Sequence, residues 1–187
     1  IGGNSGWYNN GDIGWITNSG YGNNGNGYGV LSYTNPPPTI SVFTINPSTL
    51  ILGNSFQMQW NVTGAVSSVN ITPEPGSSST SGSGTFTPSQ DTTYTLTASG
   101  PGGTVAQSIS VDVKIPPEII LSVDKPQITV GDVFTLSWVT TGDANTVNIN
   151  PGVGSTNLVS SIALQPTQTT TYTAVASGLG GSATDQI

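Results

Sequence analysis

The sequence repeats itself at a fixed offset of 78 residues, and this narrows the possible folds more than any other feature. "GNSFQMQWNVTGAVSSVNITP" (53–73) aligns with "GDVFTLSWVTTGDANTVNINP" (131–151), and "TPSQDTTYTLTASGPGG" (87–103) with "QPTQTTTYTAVASGLGG" (165–181). From Gly53/Gly131 to Ile109/Ile187 the offset holds without a gap, and 24 of the 57 pairs are identical. A period kept this well means two copies of one module. The 187 residues therefore hold two small domains rather than one ordinary one.

Each copy reads as strands. Phe56, Met58 and Trp60 alternate with polar residues, as do Phe134, Leu136 and Trp138, which is the period-two signal of a half-buried sheet. Val69 and Ile71, then Tyr94, Leu96 and Ala98, then Val105, Ile109, Val111 and Val113 continue the pattern. Gly, Pro, Ser and Thr separate these runs and no helical period interrupts them, so each copy is expected to be an all-β sandwich. Trp60, Tyr94, Trp138 and Tyr172 are its expected structural core.

"DTTYTLTASGPGG", with F-x-M-x-W and V-x-I-x-P upstream, resembles the immunoglobulin-like modules of bacterial surface proteins and tailed-phage structural proteins. The resemblance covers residues 38–113 and 117–187. It implies a seven-stranded sandwich per copy, with Tyr94 and Tyr172 as tyrosine corners and Leu96 and Ala174 where antibody domains carry their second cysteine. The expected fold is all-β: two tandem immunoglobulin-like β-sandwiches preceded by a Gly/Asn-rich β-hairpin segment. The second copy reaches Ile187, the counterpart of Ile109, so "SVDV" (110–113) has no counterpart within the 187 residues. The last strand of module 117–187 is thus truncated, and either further chain or a neighbouring subunit is expected to complete its sheet. "TNPPPT" (34–39) and "KIPPE" (114–118) precede the modules; consecutive prolines favour polyproline II, which suggests modules strung in line.

The composition removes most chemistry. There is no histidine, cysteine or arginine, the only basic side chains are Lys114 and Lys125, and the net charge is −7. Ser-His and Cys-His pairs and imidazole or thiolate zinc sites are excluded, as is any disulfide. The basic footprint of a nucleic-acid binder is missing, and no apolar run is long enough for a membrane-spanning helix. No catalytic, cofactor-binding or metal-binding residue is expected. The carboxylates Asp12, Glu74, Asp91, Asp112, Glu118, Asp124, Asp132, Asp143 and Asp185 lie apart along the chain and read as solvated charge rather than a glycosidase pair. "NNGD" (9–12) and "GDAN" (142–145) offer oxygen atoms for calcium but lack the EF-hand ligand series, so Asx-type turns are the better reading. "NVT" (61–63) and "NIT" (70–72) fit the glycan-acceptor pattern, which chance supplies readily in threonine-rich strands.

Residues 1–35 contain ten glycines and eight asparagines. Asn-Gly favours the type I′ turn of a two-residue hairpin. A turn at Asn10-Gly11 pairs Tyr8 with Ile13 and Trp7 with Gly14; one at Asn24-Gly25 pairs Tyr21 with Tyr28. A lone hairpin is marginal in water, so this segment is expected to be an anchor whose Trp7, Tyr8, Trp15, Tyr21 and Tyr28 meet another surface. Stacking of the same aromatics on host surface glycans is the competing reading, and an unstructured tail the third. The expected partners are other virion or surface-structure subunits in a larger assembly. The expected location is the virion surface, with the bacterial cell surface as the alternative.

Overall fold

The computed structural model describes residues 15–17 and 32–187. Two compact units divide the chain: one comprises residues up to Asn46 with Phe56–Phe86 and Thr93–Ser110, the other Pro47–Ser55, Thr87–Thr92 and Val111–Ile187.

The described residues form strands and no helix. In chain order these are β1 (Trp15–Thr17), β2 (Ser32–Thr34), β3 (Thr39–Asn46), β4 (Thr49–Ile51), β5 (Phe56–Thr63), β6 (Ser68–Thr72), β7 (Gly76–Ser78), β8 (Ser81–Phe86), β9 (Thr92–Gly100) and β10 (Gly103–Lys114). There follow β11 (Glu118–Val123), β12 (Phe134–Thr141), β13 (Ala144–Asn150), β14 (Gly154–Thr156), β15 (Val159–Leu164), β16 (Thr173–Gly178) and β17 (Gly181–Gln186).

The first copy of the repeat supplies the three-stranded sheet β3-β5-β8 and the five-stranded sheet β4-β10-β9-β6-β7. The second supplies β11-β12-β15 and the four-stranded β14-β13-β16-β17. The resemblance implied seven strands per copy; the second has seven, whereas the first has eight. The extra strand is β4, which pairs parallel to the end of β10 with Asp112↔Thr49, Val113↔Leu50 and Lys114↔Ile51. Its counterpart, residues 127–129, is not a strand.

Alternation decides what is buried. On β5, Phe56, Met58, Trp60 and Val62 face inward while Gln57 and Gln59 are exposed; on β12, Phe134, Leu136 and Trp138 are buried. Ile119 and Leu121 of β11, Val147 and Ile149 of β13, and Ala174 and Ala176 of β16 close the core of the second copy. A buried large apolar side chain contributes roughly 1.5–3 kcal/mol, so these rows carry the stability that a cysteine-free sandwich cannot draw from a disulfide.

Outside the core, hydroxyl pairs join β9 to β10: Thr93 with Ser110 at 2.9 Å, Thr95 with Ser108 at 2.8 Å and Ser99 with Thr104 at 2.9 Å. The hairpin turns beyond β9 and β16 use the same backbone device, since Gly103 has φ 125° and Gly181 φ 122°. An L side chain rarely adopts that conformation.

Candidate functional site

Of the proposed contact aromatics, Trp7, Tyr8, Tyr21 and Tyr28 lie outside the described residues, as do Ile13, Gly14 and the expected turns at Asn10-Gly11 and Asn24-Gly25. Trp15 opens β1, which pairs antiparallel with β2 through Trp15↔Thr34, Ile16↔Tyr33 and Thr17↔Ser32.

The two copies repeat one aromatic arrangement. Trp60 is 8% exposed and Trp138 2%; the Trp60 indole N–H donates to the Ser79 carbonyl at 3.0 Å, and that of Trp138 to the Asn157 carbonyl at 2.8 Å. Tyr94 packs on Phe56 with ring centroids 5.3 Å apart, and Tyr172 on Phe134 at 5.8 Å. Phe86 joins the first pair, 5.7 Å from Phe56 and 6.2 Å from Tyr94; Leu164 stands at its counterpart.

A tyrosine corner bonds its hydroxyl to backbone a few residues upstream. Tyr94 instead donates to the Glu74 carboxylate at 3.3 Å, twenty residues away, and a charged acceptor makes a stronger hydrogen bond than a carbonyl. Burial, then the charge of Glu74 and its hydrogen bond, pushes the Tyr94 phenol up to about 12. The counterpart of Glu74 is Gly152, so Tyr172 meets no such carboxylate there.

Asp12 lies outside the described residues; the other eight carboxylates all accept hydrogen bonds within the fold. Asp91 takes the Val113 N–H at 2.7 Å, Asp143 that of Ile115 at 2.7 Å, and Asp185 that of Leu121 at 2.7 Å. Asp124 takes the Thr135 N–H at 2.6 Å and Asp132 that of Thr129 at 3.1 Å. Glu118 accepts from the Thr141 hydroxyl at 3.4 Å and Glu74 from Tyr94 at 3.3 Å. Asp112 pairs with Lys114 at 2.6 Å, which raises the ammonium above the usual lysine range. Backbone N–H donors hold most of these carboxylates in place, and no cluster of three or more metal-ligating side chains occurs among the described residues. The "GDAN" turn is thus a pin: Asp143 fixes Ile115 through its side chain and also donates its N–H to the Ile115 carbonyl at 3.0 Å.

One concave feature was not singled out from sequence. A groove of about 700 Å³ opens in the second copy, its walls including Val123, Ile128, Val130, Phe134, Tyr172 and Ile187. Phe134 and Tyr172 are buried, Ile128 is half-buried, and Val130 is 73% exposed.

No family model matches the sequence. The chain is 35% identical over 147 residues to an uncharacterized protein of Ruminiclostridium cellulolyticum, covering 76% of this chain and 40% of the relative; it thus spans about two fifths of that protein's length. Among solved structures, a three-domain immunoglobulin fragment of titin superposes with a TM-score of 0.55 at 17% identity, covering 81% of this chain and 64% of that one. The N-terminal eight immunoglobulin domains of Down Syndrome Cell Adhesion Molecule give 0.56 at 15% identity, covering 84% and 29%. Immunoglobulin domains 1–4 of Sidekick-1 give 0.55 at 11%, covering 83% and 48%. The fold is a tandem of immunoglobulin-like β-sandwiches.

Proposed function

We propose that this chain is a non-enzymatic structural protein that displays two immunoglobulin-like modules, residues 38–113 and 117–187, from an anchoring segment at residues 1–35. The observation that carries this reading is the use of all eight described carboxylates as hydrogen-bond acceptors within the fold. In a chain without histidine, cysteine or arginine and with only two lysines, carboxylates are the main side chains left for acid-base or metal chemistry, and the eight described ones are engaged within the fold. The finer reading is a tailed-phage fibre, decoration or baseplate-associated component at the virion surface. Trp7, Tyr8, Trp15, Tyr21 and Tyr28 would contact neighbouring subunits or host surface glycans.

A second reading, the stalk of a bacterial cell-surface adhesin, is supported by the bacterial relative. Mass spectrometry of purified virions and of shaved cell surfaces separates the two. Peptides from this chain in virions, at a fixed ratio to the major structural proteins, are expected. Their absence there together with recovery from shaved cells would replace the first reading with the second.

A further inference from the structure

Among the described residues, β15 has a ladder partner on one side only, in the order β11-β12-β15. Edge strands are commonly guarded by charge, proline or a bulge. β15 reads VSSIAL, carries neither charge nor proline, and pairs with β12 from Val159 to Leu164 without a register shift. Thr140 donates its N–H to the Leu158 carbonyl at 3.1 Å, which makes Thr140 and Leu158 a hydrogen-bonded pair of this antiparallel ladder. Such pairs alternate along a ladder, so Ser160, Ile162 and Leu164 bond to β12. Val159, Ser161 and Ala163 therefore turn their N–H and C=O groups to the free edge.

The side chains leading to this edge set the two copies apart. Ile120 pairs with Val139 and Val139 with Val159, and the three are 63%, 49% and 58% exposed. They form an apolar row across the outer face of the sheet, ending at β15. In the first copy the same row is Val42, Asn61 and Ser81. Where that copy has Asn61, Ser81 and Thr85, the second has Val139, Val159 and Ala163. β8 also carries Gly82 and Gly84 in place of Ser160 and Ile162, and glycine weakens a strand.

We propose that β15 is the contact edge of a homodimer, pairing antiparallel with β15 of a second copy of this chain about a two-fold axis at Ser161. The edge is self-complementary under that axis. Val159 of one copy lies opposite Ala163 of the other, and Ser161 opposite Ser161. The outward-turned groups then exchange about six main-chain hydrogen bonds, and the row Ile120–Val139–Val159 runs on across the junction to Ala163. Charge favours the same occupant. The chain carries −7 overall, yet Glu118 is the only charged residue of the three strands and stands on β11, farthest from the junction. Two copies thus approach here with little like-charge repulsion. One pair of six-residue strands buries less than the roughly 800 Å² per partner of a stable interface. The dimer is accordingly weak and reversible, and effective where copies are held close together. The inference does not rest on the proposed function, since edge pairing would join virion subunits and surface stalks alike.

Sedimentation velocity of the 187-residue chain across a concentration series tests this. The parent should move from monomer mass at micromolar toward dimer mass at millimolar concentration. Ser161→Pro removes an N–H that makes no bond within the fold, and proline is tolerated at such an edge position; this variant should stay monomeric with an unchanged circular dichroism spectrum. Val159→Lys, at an exposed position, keeps the test open if the proline variant fails to fold, and should raise the dissociation constant about tenfold or more. A parent that is monomeric throughout, or a dimer undiminished in the folded variants, would each overturn the proposal.

Discussion

The indole N–H of Trp60 reaches the carbonyl of Ser79 at 3.0 Å, and 78 residues later Trp138 reaches Asn157 at 2.8 Å. One contact preserved in both copies, although Ser79 and Asn157 differ, shows that the repeat conserves backbone geometry and not only composition. Trp138→Ala should destabilise the second copy by about 3–5 kcal/mol, and Trp60→Phe the first by about 1–3 kcal/mol through the orphaned acceptor and the lost ring. Chemical denaturation of the variants, followed by tryptophan fluorescence and circular dichroism, measures both.

Tyr94 makes stability depend on alkaline pH. Its folded-state value is raised from 10.0 to about 12, so the folded state holds the phenolic proton more tightly than the unfolded chain does. The contribution is complete below pH 10, and it declines as pH rises from there toward about 12. Midpoints of urea unfolding across this window should fall in the parent and be flatter in Tyr94→Phe. Glu74→Gln should lie between the two, because burial, the first cause of the shift, remains.

Metal removal should leave the protein unchanged. Asp143, the residue of the "GDAN" turn that most resembles a calcium ligand, accepts the Ile115 N–H at 2.7 Å. A melting curve superimposable with and without chelator is the expected outcome. Asp143→Ala should lower stability by about 1 kcal/mol in either condition.

Two glycines of positive φ separate backbone strain from crowding. Gly131 has φ 97° with open space around it, whereas Gly142 has φ 69° and an added Cβ would meet the Pro116 carbonyl. Gly131→Ala should cost about 1 kcal/mol for conformation alone. Gly142→Ala should cost more, about 2–3 kcal/mol, because it also displaces the segment pinned by Asp143. Thermal unfolding of the pair checks the order.

Much of the fold was legible in the residues because sheet burial is local: alternation placed Phe56, Met58 and Trp60, and Val69 and Ile71, inside, and the structure buries all five. Copy number followed from the offset alone. What was not legible is partnership across the sandwich. Nothing near Tyr94 in sequence marks Glu74 as its acceptor, and nothing near Asp185 marks Leu121, 64 residues away.

Residue type and spacing alone established an all-β fold, two copies of one module, and a chain without imidazole or thiolate chemistry. Those properties depend on residue type and spacing, which the chain states directly. Only the assembled sheets show that the eight described carboxylates accept hydrogen bonds within the fold, that Tyr94 answers to Glu74, and that Phe134 packs on Tyr172 in the second copy. Each depends on which strands become neighbours, and strand pairing brings together groups that no local pattern relates.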